Sequence, residues 1–152
     1  MSLPIEKTRL LTLEAGGVRS IAPNNPITLD FLSPITLITG PNGSGKTTMI
    51  ECMRFALTGE YPPNTDHGHT FVRDPTHETL QRTSAFIRLT LEVDQTRYVV
   101  RRSFGIALKD GKLSPTPASD ELTEIRPNGQ TATLTKVNEA LLQRIGTSKV
   151  IL

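Results

Sequence analysis

Cysteine is nearly absent from this sequence. Cys52 is the single one among 152 residues, so an internal disulfide framework and a cysteine-rich zinc site are both excluded. It falls inside a stretch with helical spacing and reads as a buried structural thiol. No apolar run approaches the roughly 20 residues that a membrane-crossing helix needs. The N-terminus carries neither an apolar signal core nor an arginine-rich amphipathic leader, so the chain reads as intracellular, in a reducing compartment and away from membranes. Internal repeats and heptad runs are also missing. Hydrophobic residues at 36% and charged ones at 21% describe an ordinary globular chain, long enough for one domain with a modest core. A net charge of +2 and an isoelectric point near 8.9 permit a nucleic-acid partner without arguing for one.

Against that background one stretch stands out: Gly40-Pro41-Asn42-Gly43-Ser44-Gly45-Lys46-Thr47-Thr48. It fits the phosphate-loop pattern of glycine, four free positions, then Gly-Lys and a hydroxyl residue. Ile35-Thr36-Leu37-Ile38-Thr39 before it reads as a buried strand. Thr47 to Leu57 after it reads as a helix, with Ile50, Met53 and Leu57 on one face. Gly40, Gly43 and Gly45 let successive N–H groups converge on an anion. The helix adds its positive N-terminal end. Lys46 would bridge β- and γ-phosphates, and the Thr47 hydroxyl would bind Mg2+.

Along the rest of the chain, Thr8 to Leu13 and Ile27 to Phe31 read as strands flanking Gly16-Gly17. Arg19 follows the glycine pair and matters only if that turn folds over the phosphate site. Thr58 to Pro75 is a long irregular stretch of a length that is usually functional or disordered. Its neighbours His67, His69 and His77 suit no standard metal spacing and read as solvated. Ala85 to Val93 alternates, Asp94-Gln95 turns, and Arg97 to Phe104 returns as the second arm of an antiparallel hairpin. Arg97, Arg101, Arg102, Lys109 and Lys112 face only Asp110 among acidic residues, a local basic surface that could track a phosphate backbone or simply protect a sheet edge. Arg97 and Arg101 share one strand face and Arg102 takes the other. Leu113 to Asp120 reads as a Pro/Ser loop. Leu122 to Ile125 and Thr131 to Leu134 read as strands around the Pro127-Asn128-Gly129 turn. Thr135 reads as the N-cap of a helix carrying Val137, Ala140, Leu141 and Ile145, with Gly146 as its stop and Thr147-Ser148-Lys149 opening a further element.

What hydrolysis needs beyond a phosphate cradle is missing. No run of four apolar residues precedes an Asp-Glu pair to hold Mg2+ through water, and no Ser-Gly-Gly stretch is present to contact a γ-phosphate.

Gly17-Val18-Arg19-Ser20, the phosphate loop with Ile50-Glu51-Cys52, Thr58-Gly59-Glu60-Tyr61-Pro62-Pro63, and Thr70-Phe71-Val72-Arg73-Asp74-Pro75 occur in one order. Together they resemble the N-terminal head lobe of the Rad-fifty family of eukaryotic double-strand-break repair ATPases, relatives of chromosome-structural (SMC) proteins and ABC ATPases. The resemblance implies an α/β fold of the P-loop ABC/SMC head type, residues 1–152 forming the N-terminal half of a head. A mixed sheet would surround the phosphate-loop helix, with an antiparallel β subdomain over about 85–134. It implies ATP and Mg2+ as cofactors, held by Arg19, Asn42, Gly43, Gly45, Lys46, Thr47, Thr48, Val72 and Asp74. Arg19 would reach the phosphates, and Val72 and Asp74 the nucleoside side. The family's zinc hook, coiled coil and second carboxylate are absent from this chain, and its glutamine motif would follow Leu152. Implied partners are the Mre eleven nuclease, an Nbs one-type subunit, double-stranded DNA and a second head joined through ATP, in the nucleus. The whole protein would hydrolyse ATP to ADP and phosphate. Rival readings are a non-hydrolysing nucleotide- or DNA-binding module and a head fragment of an SMC protein.

Overall fold

Alternating apolar residues in the middle of the chain form the longest hairpin of the fold. The structure, a computed structural model, describes residues 8–78 and 80–145. Strands β3 (Arg82–Val93) and β4 (Thr96–Lys109) pair antiparallel from Val93↔Thr96 to Arg82↔Ala107. Asp94 and Gln95 join them with φ of 46° and 69°, left-handed values that match the twist of two paired strands. On one flank β1 (Thr8–Gly16) pairs with β3, and β2 (Ile27–Asp30) forms the edge. On the other flank β6 (Ser119–Ile125) pairs with β4, and β7 (Thr131–Leu134) closes the row. The order is β2-β1-β3-β4-β6-β7, with β5 (Lys112–Pro115) paired to the far end of β4.

The stretch from Leu113 to Asp120 is therefore not one loop. Asp110 and Gly111 turn with positive φ and return the chain as β5, and β6 begins already at Ser119. Proline misleads here because Pro115 sits at the end of a short strand, where a missing N–H costs little.

Helix α1 (Lys46–Thr58) lies on the core face of the sheet. Gly45 at φ 90° opens it, and Gly59 at φ 73° stops it, donating its N–H to Phe55 O at 2.8 Å. Its buried face is Met49, Cys52, Met53, Phe55 and Ala56. Ile50, expected on that face, is exposed, because the stripe is rotated by one residue. Phe55, Tyr61, Phe71 and Phe104 pack ring on ring, with Phe55–Tyr61 centroids 4.7 Å apart. This cluster ties the long 59–75 connection to helix and sheet, and Pro75–Glu78 ends it as a 3₁₀ turn. Helix α2 is Val137–Ile145, with Val137 and Leu141 buried. Lys136, not Thr135, takes its flanking position: it has φ 54° and its carbonyl accepts the Ala140 N–H at 3.0 Å. Gly146 and Thr147 to Lys149 lie outside the described residues.

One expected element does not form. Ile35 to Thr39 has the apolar spelling of a buried strand, yet no strand is found there. Leu32, Ile35 and Leu37 are 71%, 78% and 82% exposed. The segment closes on itself locally: the Leu32 N–H donates to Thr36 Oγ1, and that hydroxyl donates to Leu32 O. A strand needs a neighbour for its N–H and C=O groups, and no described strand lies alongside. All ladders among the described residues are antiparallel, so the parallel part of a mixed sheet is missing here for the same reason.

Candidate phosphate-binding site

Backbone conformation explains the spelling of the glycine-rich loop. Gly43 and Gly45 hold φ of 81° and 90°, where a side chain would be strained. Gly40 lies against Ser44, where a Cβ would come within 2.6 Å of the Ser44 hydroxyl and require that side chain to turn away. Gly45 offers no side chain to cap the first N–H groups of α1, and no acidic residue stands in the first turn. Those N–H groups are left for an anion. Lys46 Nζ donates to Gly40 O at 2.6 Å and Pro41 O at 2.7 Å, so the ammonium bridges the loop it follows. Asn42 and Thr47 are exposed and Thr48 is half-buried.

Beside the loop is a cavity of about 300 Å³ between Ser44, Thr48 and Met49 on one side and Ile21, Ala22 and Ile27 on the other. Its lining mixes polar side chains, Ser20, Asn25, Ser44 and Thr48, with apolar ones, as in a site for a small polar-headed ligand.

The turn after Gly16-Gly17 does fold back onto this helix. Gly17, at φ 72°, packs so closely that a Cβ would meet Ser84 O at 2.3 Å. Arg19 follows at φ 53°, with its N–H on Phe71 O at 2.9 Å, and the Arg73 N–H binds Gly17 O at 2.8 Å. The Arg19 guanidinium reaches α1, where Nη2 donates to Glu51 Oε1 at 3.0 Å and Oε2 at 3.2 Å. Glu51 carried no weight in the sequence reading beyond its place in the resemblance. Its position four residues after Thr47, on the same helical face, was the one available signal. Val72 bridges Val18 and is buried in the core. Asp74 Oδ1 accepts the N–H and hydroxyl of Thr76 at 2.8 and 2.7 Å. Arg19 and the 72–74 segment thus share one corner beside the helix.

The basic hairpin divides differently from its charge count. Arg102 is not a surface residue: it is 1% exposed, and its face of β4 is the core face. Its guanidinium binds Ala56 O, Asp120 and Asn138 and lies over the Phe55 ring, and burial lowers its pKa against the opposing pull of Asp120. It is therefore withdrawn as a DNA contact. Arg97 lies 3.6 Å from Glu92, which also holds Arg9 at 2.9 Å, and Arg88 pairs with Glu14 at 2.9 Å. Arg101 lies over the Phe86 ring and stands opposite Glu121 in register. Cross-strand carboxylates thus pair with Arg9, Arg88 and Arg97 on that face. Lys109 and Lys112 remain exposed at the hairpin end.

Cys52 is buried, and burial first, then the Glu51 charge, pushes its thiol up to about 12 against the lowering effect of Arg19. Among the described residues no three His, Cys, Asp or Glu side chains cluster as a metal site, and no helix is long and apolar enough to cross a membrane. The nearest carboxylate to His69 is Asp66 at 3.9 Å, and the side chain of His77 lies outside the described residues.

The AAA domain family matches this chain over residues 12–149. The chain belongs to that family. It is also 40% identical over 113 residues to the DNA repair protein RAD50 of Arabidopsis thaliana, covering 74% of this chain and 9% of that protein. The DNA repair protein rad50 of Schizosaccharomyces pombe is 33% identical over 140 residues, 90% of this chain and 11% of the relative. The chromosome partition protein Smc of Halothermothrix orenii is 48% identical over 59 residues, 39% of this chain and 5% of the relative. The anticipated resemblance to Rad-fifty proteins therefore holds over most of this AAA domain, and the fold is that of a P-loop head lobe rich in antiparallel sheet. The chain spans about a tenth or less of the length of these relatives.

Proposed function

We propose that this chain is the ATP-binding lobe of a DNA-repair ATPase head. The observation that carries the reading is the uncapped start of α1 behind a glycine loop bridged by Lys46. In this reading Lys46 leaves the Gly40 and Pro41 carbonyls for the β- and γ-phosphates. Gly43, Gly45 and Thr48 supply N–H groups, Asn42 sits at the loop tip, and Arg19 adds a second cation from the facing turn. The cavity against Ile21, Ala22 and Ile27 would take the rest of the nucleotide, with Val72 and Asp74 as the proposed nucleoside contacts.

Mg2+ fits this donor set. A cation bound through one hydroxyl and the phosphates themselves needs no cluster of protein carboxylates, and the exposed Thr47 hydroxyl supplies that ligand. When bound, Mg2+ neutralises charge on the transferring phosphoryl group. The residues of this chain bind and orient the phosphates for transfer to water, and the remaining groups come from a second lobe. ATP-joined heads of this kind would clamp duplex DNA in the nucleus and regulate a partner nuclease of the Mre eleven type, with an Nbs one-type subunit. In this reading Lys109 and Lys112 at the β4–β5 turn contact duplex DNA, and Arg97 and Arg101 lie further along β4 towards its other end.

The test is a titration of the full chain with a fluorescent ATP analogue in Mg2+. Saturable binding that Lys46→Ala weakens by a hundredfold or more is expected, because the lysine's charge meets the phosphates directly. Equal binding by wild type and Lys46→Ala would sink the reading. A module that binds without hydrolysing is the rival. It is favoured if a matching second lobe joins this chain without producing Lys46-dependent ATPase.

A further inference from the structure

Glu51 is a carboxylate one helical turn behind an anion cradle, where its charge opposes an incoming phosphate. Its geometry explains why the position tolerates it. The side chain spends both oxygens on Nη2 of Arg19, at 3.0 and 3.2 Å. Arg19 is held on its other sides as well. Nη1 lies 3.4 Å from Thr70 O, and Cζ lies 5.7 Å from the centre of the Phe71 ring. The backbone beneath it is fixed by a left-handed φ of 53° and by the bond to Phe71 O. The side chains of Arg19 and Glu51 are 34% and 21% exposed, so the pair is within reach of solvent and is not part of the core. The Nε–H of Arg19 makes no hydrogen bond among the described residues. A long cation is thus held in one place with donor capacity left over.

We infer that Glu51 is a positioning residue: it holds the Arg19 guanidinium against the second turn of α1, so that its remaining donors are oriented for the phosphates of a nucleotide bound at the helix start. The inference rests on the nucleotide-binding reading and adds a residue to it. Without Glu51, Arg19 samples many rotamers and pays that entropy on binding. Without Arg19, Glu51 is an uncompensated negative charge close to the phosphates.

The experiment is a double-mutant cycle on the full chain, reading the Kd of a fluorescent ATP analogue in Mg2+. Each variant is measured below its own melting temperature. Glu51→Ala is expected to raise Kd on the order of tenfold, the scale seen when a group that orients a ligand-binding side chain is removed. Arg19→Ala/Glu51→Ala is expected to bind no more weakly than Arg19→Ala alone, because the carboxylate helps binding only through the arginine and without it only repels the phosphates. Glu51→Gln keeps the shape and one acceptor oxygen, so it should show a smaller rise in the same direction. It also supplies the cycle if Glu51→Ala does not fold. Wild-type affinity in Glu51→Ala and Glu51→Gln, or losses that multiply in the double variant, would overturn the inference while leaving nucleotide binding intact. A wild type without Lys46-dependent binding overturns both.

Discussion

Cys52 shows how a single side chain reports on the packing around the site. It lies on the buried face of α1, next to Glu51, and burial pushes its thiol from the ordinary 9.0 up to about 12. Below pH 9 both folded and unfolded chains keep the proton, so the thiol adds no pH dependence there. Between 9 and 12 the unfolded chain loses it while the folded chain does not, so stability falls as pH rises through that window. Burial of Tyr61 raises its pKa too and acts in the same direction. We expect denaturant midpoints to decline from pH 9 upwards, with a shallower slope in Cys52→Ala. Labelling by a thiol reagent at pH 8 should run at the rate of global unfolding, and fast labelling of the folded chain would contradict the buried thiol. The left-handed glycines of the loop were legible because their conformation is set by near neighbours in sequence, and the buried thiol because it falls within a stretch of helical spacing. Arg102 was not. Charge counting gave it to the surface, and only the alternation of β4, once one face is known to be the core, sends it inward.

At the scale of elements, that buried arginine connects three of them. Nε binds a carbonyl in the last turn of α1, and the two terminal nitrogens bind Asp120 of β6 and Asn138 of α2. A cation at a helix C-terminus is favourable, and a fork of donors can meet three acceptors at once. Arg102→Ala should therefore cost about 3–5 kcal/mol in urea denaturation, the range for breaking a buried charged network. Arg102→Lys should recover little, because one ammonium cannot span acceptors on α1, β6 and α2. A loss below about 1 kcal/mol in Arg102→Ala would show that the elements dock without it. Helix α1 and the β3–β4 hairpin could be read from periodicity alone, since each pattern is long and its ends carry Gly45, Gly59 and the Asp94-Gln95 turn. β5 and the start of β6 could not, because their pairing depends on β4 and not on their own composition.

For the whole molecule, the segment from Leu32 to Thr39 poses the main question, since its spelling and its structure disagree. Ile35 and Leu37 present apolar surface to water just before the phosphate loop, and no described strand stands beside them. Burying a side chain of this size contributes about 1.5–3 kcal/mol, so two such residues are a substantial docking energy held in reserve. The apolar spelling predicts a buried strand and the structure shows an exposed segment instead, with no described strand beside it to pair with. A second lobe in the proposed head would supply that neighbour and convert the segment into a sheet member. Hydrogen exchange on the chain alone should then find the amides of residues 35–39 unprotected, and addition of a matching lobe should protect them. Leu37→Asp gives the complementary measurement. Because the side chain is 82% exposed, this substitution should leave the melting temperature of the isolated chain nearly unchanged. Association with the second lobe should weaken by more than tenfold, as a charge replaces an apolar group at a buried position. Unfolding of the chain by Leu37→Asp would show that the segment is not free, and association as tight as wild type would show that it is not the docking strand.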